Sequence, residues 1–323
     1  MKKYVLTASL VALCCSLFAG WFMGALAPLY ADIPDRPQLP TVRPNIDPLI
    51  IGHRGYGHVA PENTIPAIQA AIEGGLDYVE LDIRLTFDGV PVLMHDADVS
   101  RTTDGEGPIT RMTFAESQTL DAGSWLASDF AGTNIPTLES ALSVANGNIC
   151  VLADLKGRVN RRLVGALRKF ASDQQALCLL VSPLGGSPEV TETSRAEVPA
   201  AARAMVDANI RKYREIYNRQ YRTLIRYWPE VPIAIRLSVN ETPEDVSRRI
   251  PSLVALEINN LLAMPSLVEE AHRDGLLTYM RVSKQRETDI VYRTALGAGL
   301  DGFFISDVDS LNNFLAIYSA EVH

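Results

Sequence analysis

Cysteine is scarce in this chain and never falls in a ligand-like spacing. Cys14 and Cys15 lie in an apolar N-terminal stretch, while Cys150 and Cys178 sit in apolar runs that read as strands. With no Cys/His pattern nearby, a thiolate metal site is excluded, and Cys150 and Cys178 are expected as buried free thiols in preference to a disulfide. Basic charge is also short: 30 Lys and Arg stand against 38 Asp and Glu, for a net charge of -8 and a pI near 5.2. That balance argues against nucleic acid as a partner, because binding a phosphate backbone needs a concentrated basic face. A small anionic substrate needs only local positive charge. No internal repeat is evident, and no low-complexity segment occurs beyond one Pro-rich connector.

Charge is absent altogether from Tyr4 to Ala31. This run exceeds the roughly 7 to 15 apolar residues of a signal peptide and is long enough to span a bilayer. Residues 1–31 are therefore expected to be an uncleaved signal anchor, with a cleaved signal peptide as the alternative. Ala25-Leu26-Ala27 and Leu29-Tyr30-Ala31 are the candidate cleavage sites. Lys2 and Lys3 stay inside, so the following domain is expected in the periplasm or outside, membrane-anchored or secreted. Residues 32–48 carry Pro34, Pro37, Pro40, Pro44 and Pro48, which favour an extended, semi-rigid connector.

What is abundant is alternation. Strand-like runs (Leu49 to Gly52, Tyr78 to Leu85, Ile149 to Leu155, Leu177 to Val181, Ile233 to Leu237, Leu253 to Ile258, Leu277 to Val282, Gly302 to Ile305) are separated by helix-like ones, among them Thr64 to Glu73 and Pro265 to Asp274. About eight strand-then-helix units imply parallel pairing and closure. The predicted fold is a (β/α)8 TIM-type barrel over residues 49–315, preceded by the apolar membrane segment. The alternative is an open doubly wound sheet. A chain of 323 residues suits one such domain, since these barrels run to about 250 residues.

The chemistry concentrates at the ends of those strands. His53-Arg54-Gly55 follows the first, Glu80-Leu81-Asp82 lies in the second, His95-Asp96 follows the apolar run Pro91 to Met94, and Asp154-Leu155-Lys156 closes a later strand. Residues two apart on a strand share a side, so Glu80 and Asp82 can converge on one hard cation. Barrel geometry then brings Asp154 and Lys156 to the same mouth. Two imidazoles can divide proton work at neutral pH.

These residues, with Pro61-Glu62-Asn63-Thr64 and Asp88-Gly89, resemble the glycerophosphodiester phosphodiesterase family in order and spacing. The resemblance covers about Leu49 to Asp309 and fades between Val181 and Ile233. It implies a divalent metal, Mg²⁺ or Ca²⁺, on Glu80, Asp82 and Asp154. His53 and His95 are then the acid/base pair, with the acid undecided between them, and Arg54, Glu62 and Lys156 contact substrate. The implied activity is hydrolysis of glycerophosphodiesters to an alcohol and glycerol 3-phosphate. A lysophospholipase D-like activity at a membrane surface and a non-catalytic phosphodiester-binding barrel are the alternatives.

Two departures stand out. Asp154 occupies a place where the family has Glu, and Met280 is expected where it has a late-strand tryptophan near the substrate, with Tyr279 facing the other way. Glu62 also has the simpler reading of a helix cap, Asp96 either orients His95 or stabilises a turn, and Glu257 either reaches the barrel mouth or is a buried or paired carboxylate. His58 has no motif around it and is read as structural. Arg195 to Arg226 holds eight basic residues interleaved with aromatics. It reads as an outer barrel helix with a solvated face, or as an amphipathic helix on anionic lipid.

Overall fold

The computed structural model describes residues 48–173, 179–182, 219–237, 241–259, 261, 263–282 and 288–322. Nine strands follow in order: β1 Leu49–Gly52, β2 Tyr78–Leu85, β3 Pro91–Leu93, β4 Cys150–Leu155, β5 Leu179–Ser182, β6 Ile233–Arg236, β7 Leu253–Glu257, β8 Leu277–Arg281 and β9 Gly302–Ile305. All but β3 pair in parallel, β1 to β2 to β4 and so on to β9, and β9 pairs back to β1. This is a closed eight-stranded parallel barrel with helices outside, the TIM-type fold. An open sheet is excluded, because β1 has a neighbour on both sides. β3 is the exception: it folds back antiparallel on β2, pairing Ile83 with Leu93.

Strand alternation builds two cores. Ile51, Tyr78, Leu152, Leu180, Ala234, Ala255, Leu277, Tyr279 and Phe304 fill the barrel interior. Their strand neighbours, including Val79, Leu81, Val151, Ala153, Leu256, Met280 and Phe303, face the helices and pack with residues such as Ile68, Leu138, Leu167 and Val268. Period two sends every second side chain to the same face. Helix starts carry the expected caps. The Thr64 side chain accepts from Ala67 N–H ahead of Ile65–Glu73, and Thr242 with Asp245 forms a capping box for Pro243–Arg249.

Three expectations need correcting or narrowing. Met280 belongs to the helix-facing core, so Leu277, Tyr279 and Arg281 are the β8 side chains that point into the barrel, and Arg281 is the one at its mouth. Cys150 is disulfide-bonded and is not a free thiol; the other three cysteines lie outside the described residues. Residues 219–227 form a helix with Leu224 buried in the helix-facing core and Arg219, Arg222 and Arg226 exposed. That part of the basic stretch is an outer barrel helix, and residues 195–218 lie outside the described residues. So do residues 1–31 and the connector up to Asp47. No helix among the described residues is long and apolar enough to cross a membrane.

Candidate active site

Four strand ends deliver side chains to one mouth. His53 and Arg54 follow β1, Glu80 and Asp82 lie in β2, His95 follows β3, and Asp154 and Lys156 close β4. The alternation that turns Tyr78 and Leu152 inward also turns Glu80, Asp82 and Asp154 inward, and the register sets Asp82 beside Asp154. All three carboxylates are buried, and one oxygen of each lies within 4.8 Å of the others.

Buried carboxylates need compensating charge. Lys156 Nζ supplies some, 2.7 Å from Asp154 Oδ2 and 3.0 Å from Asp82 Oδ1. Arg54 Nε lies 3.4 Å from Asp82 Oδ2, and Arg54 N–H donates to Glu80 Oε2 at 2.9 Å. Arg281 adds positive charge to Glu80 and Asp154 from the far side of the mouth, yet Glu80 stays the least compensated of the three. Burial, reinforced by Asp82 and Asp154, pushes the Glu80 carboxyl well above the usual range. Burial acts the same way on Asp82, but Lys156 and Arg54 outweigh it and hold that carboxyl below its ordinary value. Asp154 is raised by burial against the pull of Lys156.

Glu80 Oε1 and Asp154 Oδ1 are buried without a hydrogen-bond partner. Asp82 Oδ1 has the Lys156 ammonium in ion-pair range but not in hydrogen-bonding alignment. Orphaned buried acceptors call for an explanation, and three converging carboxylate oxygens are a donor set that suits a hard divalent cation. The acidic site can therefore hold one.

The loop after β1 is shaped for this. Arg54 takes a left-handed backbone with φ 57°, which costs energy in a non-glycine residue and turns its N–H onto Glu80. Gly55 follows at φ 88°, where an added Cβ would stand 2.6 Å from Ala67 Cβ. Asn63 is also left-handed and clamps Asp82 twice: its Nδ2 donates to Oδ2 at 2.7 Å and its Oδ1 accepts Asp82 N–H at 3.0 Å.

The two histidines differ. His53 Nδ1 is 2.9 Å from Ser306 Oγ, and its ring tilts against Phe304 with 5.0 Å between centroids. Burial first, then Arg54 and Arg281, lowers its pKa well below the usual value, so the imidazole is neutral near pH 7. His95 sits at a half-open edge, with Nδ1 2.7 Å from Asp96 Oδ1. Asp96 thus orients His95, and the turn reading gives way to that role. Arg101 Nε holds the other oxygen of Asp96. The Arg101 fork also takes Glu62, Nη1 to Oε2 at 2.9 Å and Nη2 to Oε1 at 2.7 Å, and Glu62 Oε1 accepts from Arg54 Nη1 at 2.7 Å. Glu62 is a bridge between two arginines, while Thr64 does the capping. Arg84 ties both halves together by donating to His95 O at 2.9 and 2.6 Å and to Lys156 O at 3.0 Å.

His53, Arg54, Glu62, Glu80, Asp82, His95, Asp154 and Lys156 all reach this mouth, Met280 does not, and His58, read as structural, is exposed. Ser306, Arg84, Asn63 and Arg101 were not assigned roles there. Asn63 lay inside a motif already recognised and Arg84 two residues beyond Asp82, whereas Arg101 gave no signal, since its partner Glu62 is 39 residues away.

Residues 53–169 match the model of the Glycerophosphoryl diester phosphodiesterase family. The chain is 40% identical over 143 residues to Glycerophosphodiester phosphodiesterase 1 of Bos taurus, a match covering 43% of each chain. It is 36% identical over 136 residues to a glycerophosphodiester phosphodiesterase of Caldanaerobacter subterraneus subsp. tengcongensis, covering 40% of this chain and 56% of that one. The chain thus spans about half the length of the curated relatives it matches. Among solved structures, a glycerophosphodiester phosphodiesterase of Agrobacterium tumefaciens superposes with a TM-score of 0.63 at 25% identity, over 84% of this chain and 100% of that one. A phosphodiesterase of Oleispira antarctica, solved with its product sn-glycerol-3-phosphate, shares the fold at a TM-score of 0.59 and 24% identity, over 83% and 97% of the two chains. With the HRG loop, the Glu80–Asp82–Asp154 triad and both histidines at one barrel mouth, residues 53–169 are similar in sequence to the glycerophosphodiester phosphodiesterase family, and the barrel around them shares the fold of its solved structures.

Proposed function

We propose that this protein is a metal-dependent phosphoric diester hydrolase that cleaves glycerophosphodiesters to an alcohol and glycerol 3-phosphate. The observation that carries this reading is the buried triad of Glu80, Asp82 and Asp154, flanked by one buried imidazole, His53, and one half-open imidazole, His95, held by Asp96. Mg²⁺ or Ca²⁺ held there supplies Lewis-acid charge for a phosphoryl oxygen. Arg54 and Lys156 add fixed positive charge where the transition state gains negative charge, and Glu62 keeps the Arg54 guanidinium in place.

His53, kept neutral by burial, is suited to accept the proton of the nucleophile, either a water, which gives glycerol 3-phosphate directly, or the substrate's own glycerol hydroxyl, which gives a cyclic phosphate that a water then opens. His95, backed by the Asp96 carboxylate, is suited to protonate the departing alkoxide. A barrel that only binds phosphodiesters has no use for such a pair. The test is release of glycerol 3-phosphate from glycerophosphocholine: activity is expected to vanish with EDTA and return with Mg²⁺ or Ca²⁺. Full turnover after exhaustive chelation, with metal absence verified by elemental analysis, overturns the metal role, and tight binding without turnover favours the binding barrel.

The uncharged run Tyr4 to Ala31 supports a second substrate class, lysophospholipids presented at a membrane, with residues 1–31 as anchor and the barrel on the periplasmic or outer side. The disulfide at Cys150 supports that side, since disulfides persist outside the reducing cytosol.

A further inference from the structure

The half of the mouth opposite the triad strands carries a charge cluster that the proposed chemistry does not use. Arg236 ends β6, Glu257 ends β7 and Arg281 ends β8, all on the inward face set by Ala234, Ala255 and Tyr279. Glu257 is buried, and Arg236 Nε and Asn259 Nδ2 each donate to its Oε1 at 2.7 Å. Those bonds already satisfy that oxygen. Arg281 is held more loosely, with Nε 3.4 Å from Oε1 and Nη2 3.4 Å from Oε2.

Arg281 Nε has no hydrogen-bond partner, although buried donors are normally satisfied. The side chain is nonetheless 25% exposed, so part of the guanidinium reaches the mouth. Its Cζ lies 3.8 Å above the Phe304 ring, and that ring is the one against His53. Glu257 therefore faces two cations, and the second, Arg281, which also lies in the field of Glu80 and Asp154, is underbonded and one aromatic ring away from His53.

We infer that Arg281, backed by Arg236 and Glu257, forms a subsite for a second anionic group on the substrate, a carboxylate or phosphate carried by the alcohol half. This rests on the hydrolase reading above. A diester whose phosphate sits at the triad on β2 and β4 has two substituents, and the alcohol half is the one assigned to the β6 to β8 side of the mouth. There a guanidinium offers a two-pronged fit to a planar carboxylate that a lysine or an amide lacks. Choline-type and ethanolamine-type alcohols have nothing to pair with it.

Glycerophosphoserine and glycerophosphoethanolamine isolate the effect, because they differ by one carboxylate. The wild-type protein is expected to favour the serine diester in kcat/KM, and R281Q to lower the serine-to-ethanolamine ratio by about tenfold or more, the usual effect of losing a charge-assisted hydrogen bond. R281K, which keeps the charge, is expected to retain part of the preference, and thermal melts of both variants check folding. An unchanged ratio in R281Q overturns the subsite and leaves Arg281 as a counter-ion to Glu257. If wild-type protein turns over neither diester, the hydrolase reading fails instead. Calorimetric titration of both diesters into the H53A variant then decides the subsite by itself: tighter binding of the serine diester that R281Q abolishes in that background supports it, and equal binding overturns it.

Discussion

His95 is the less enclosed of the two histidines, so its direction depends on what holds it. One side chain does most of this at second hand: Arg101 grips Asp96, which orients His95, and with its other nitrogens grips Glu62, which fixes Arg54. Removing it leaves the acidic triad intact. Arg101→Ala is therefore expected to lower kcat about tenfold while KM moves much less, a positioning effect within the range expected for misplaced acid/base groups. Arg101→Lys should recover only part of the loss, since an ammonium cannot reproduce the two-pronged grip. Equal loss in KM, or full recovery with lysine, would show that only charge matters there. The groups that move protons should cost more: His53→Ala and His95→Ala are each expected to lower kcat by at least about 100-fold. A variant that keeps near wild-type turnover on an accepted diester returns that histidine to a packing role.

At the scale of elements, the opposite end of the barrel shows what the strands use charge for when no chemistry is at stake. Asp301, just before β9, accepts Thr278 N–H at 2.7 Å, Thr278 Oγ1 at 2.8 Å and His272 Nε2 at 2.9 Å, pinning the helix Met264–Arg273 to β8 and β9. The Asp301 hydrogen bond raises the His272 pKa above its ordinary value. The stabilisation it brings is thus complete below the unfolded pKa of about 6.5 and is lost as pH rises through the higher folded value. His272→Ala is expected to lower Tm more at pH 5.5 than at pH 8.5. The side chain is 34% exposed, so the difference should be no more than about 2 °C. An equal or larger loss at pH 8.5 refutes the linkage.

The element scale also shows why some of this was legible in advance. Short apolar runs marked each barrel strand to within a residue or two, and Glu80, Asp82 and Asp154 shared a mouth because spacing and strand order are local information. Arg281 was missed by one position, since parity on β8 is set by which side of Leu277 faces inward, and that depends on its neighbours. β3 was seen as an apolar run, but its antiparallel return onto β2 is a pairing choice that no local period encodes. The Arg101 grip on Glu62 and the disulfide at Cys150 likewise depend on which distant segments become neighbours.

For the whole molecule, the open question is where the barrel meets its substrate. The acidic net charge of -8 gives no general attraction to anionic lipid, so a membrane preference needs a local cause, and the N-terminal segment supplies one. An uncharged run from Tyr4 to Ala31 followed by a Pro-rich spacer would confine the active site to a thin layer above the bilayer, raising its effective concentration toward lipid-embedded substrates without any new contact at the mouth. Deleting residues 1–32 should then leave turnover of soluble glycerophosphodiesters within about twofold while lowering turnover of lysophospholipid in vesicles by about tenfold or more, with detergent-dispersed lysophospholipid in between. Alkaline carbonate extraction of the full-length protein checks the premise separately. Retention in the membrane pellet supports the anchor, whereas complete release with an N-terminus at Pro28 or Asp32 means a cleaved signal, and equal activity of the two forms on vesicles removes the case for a lipid-bound substrate.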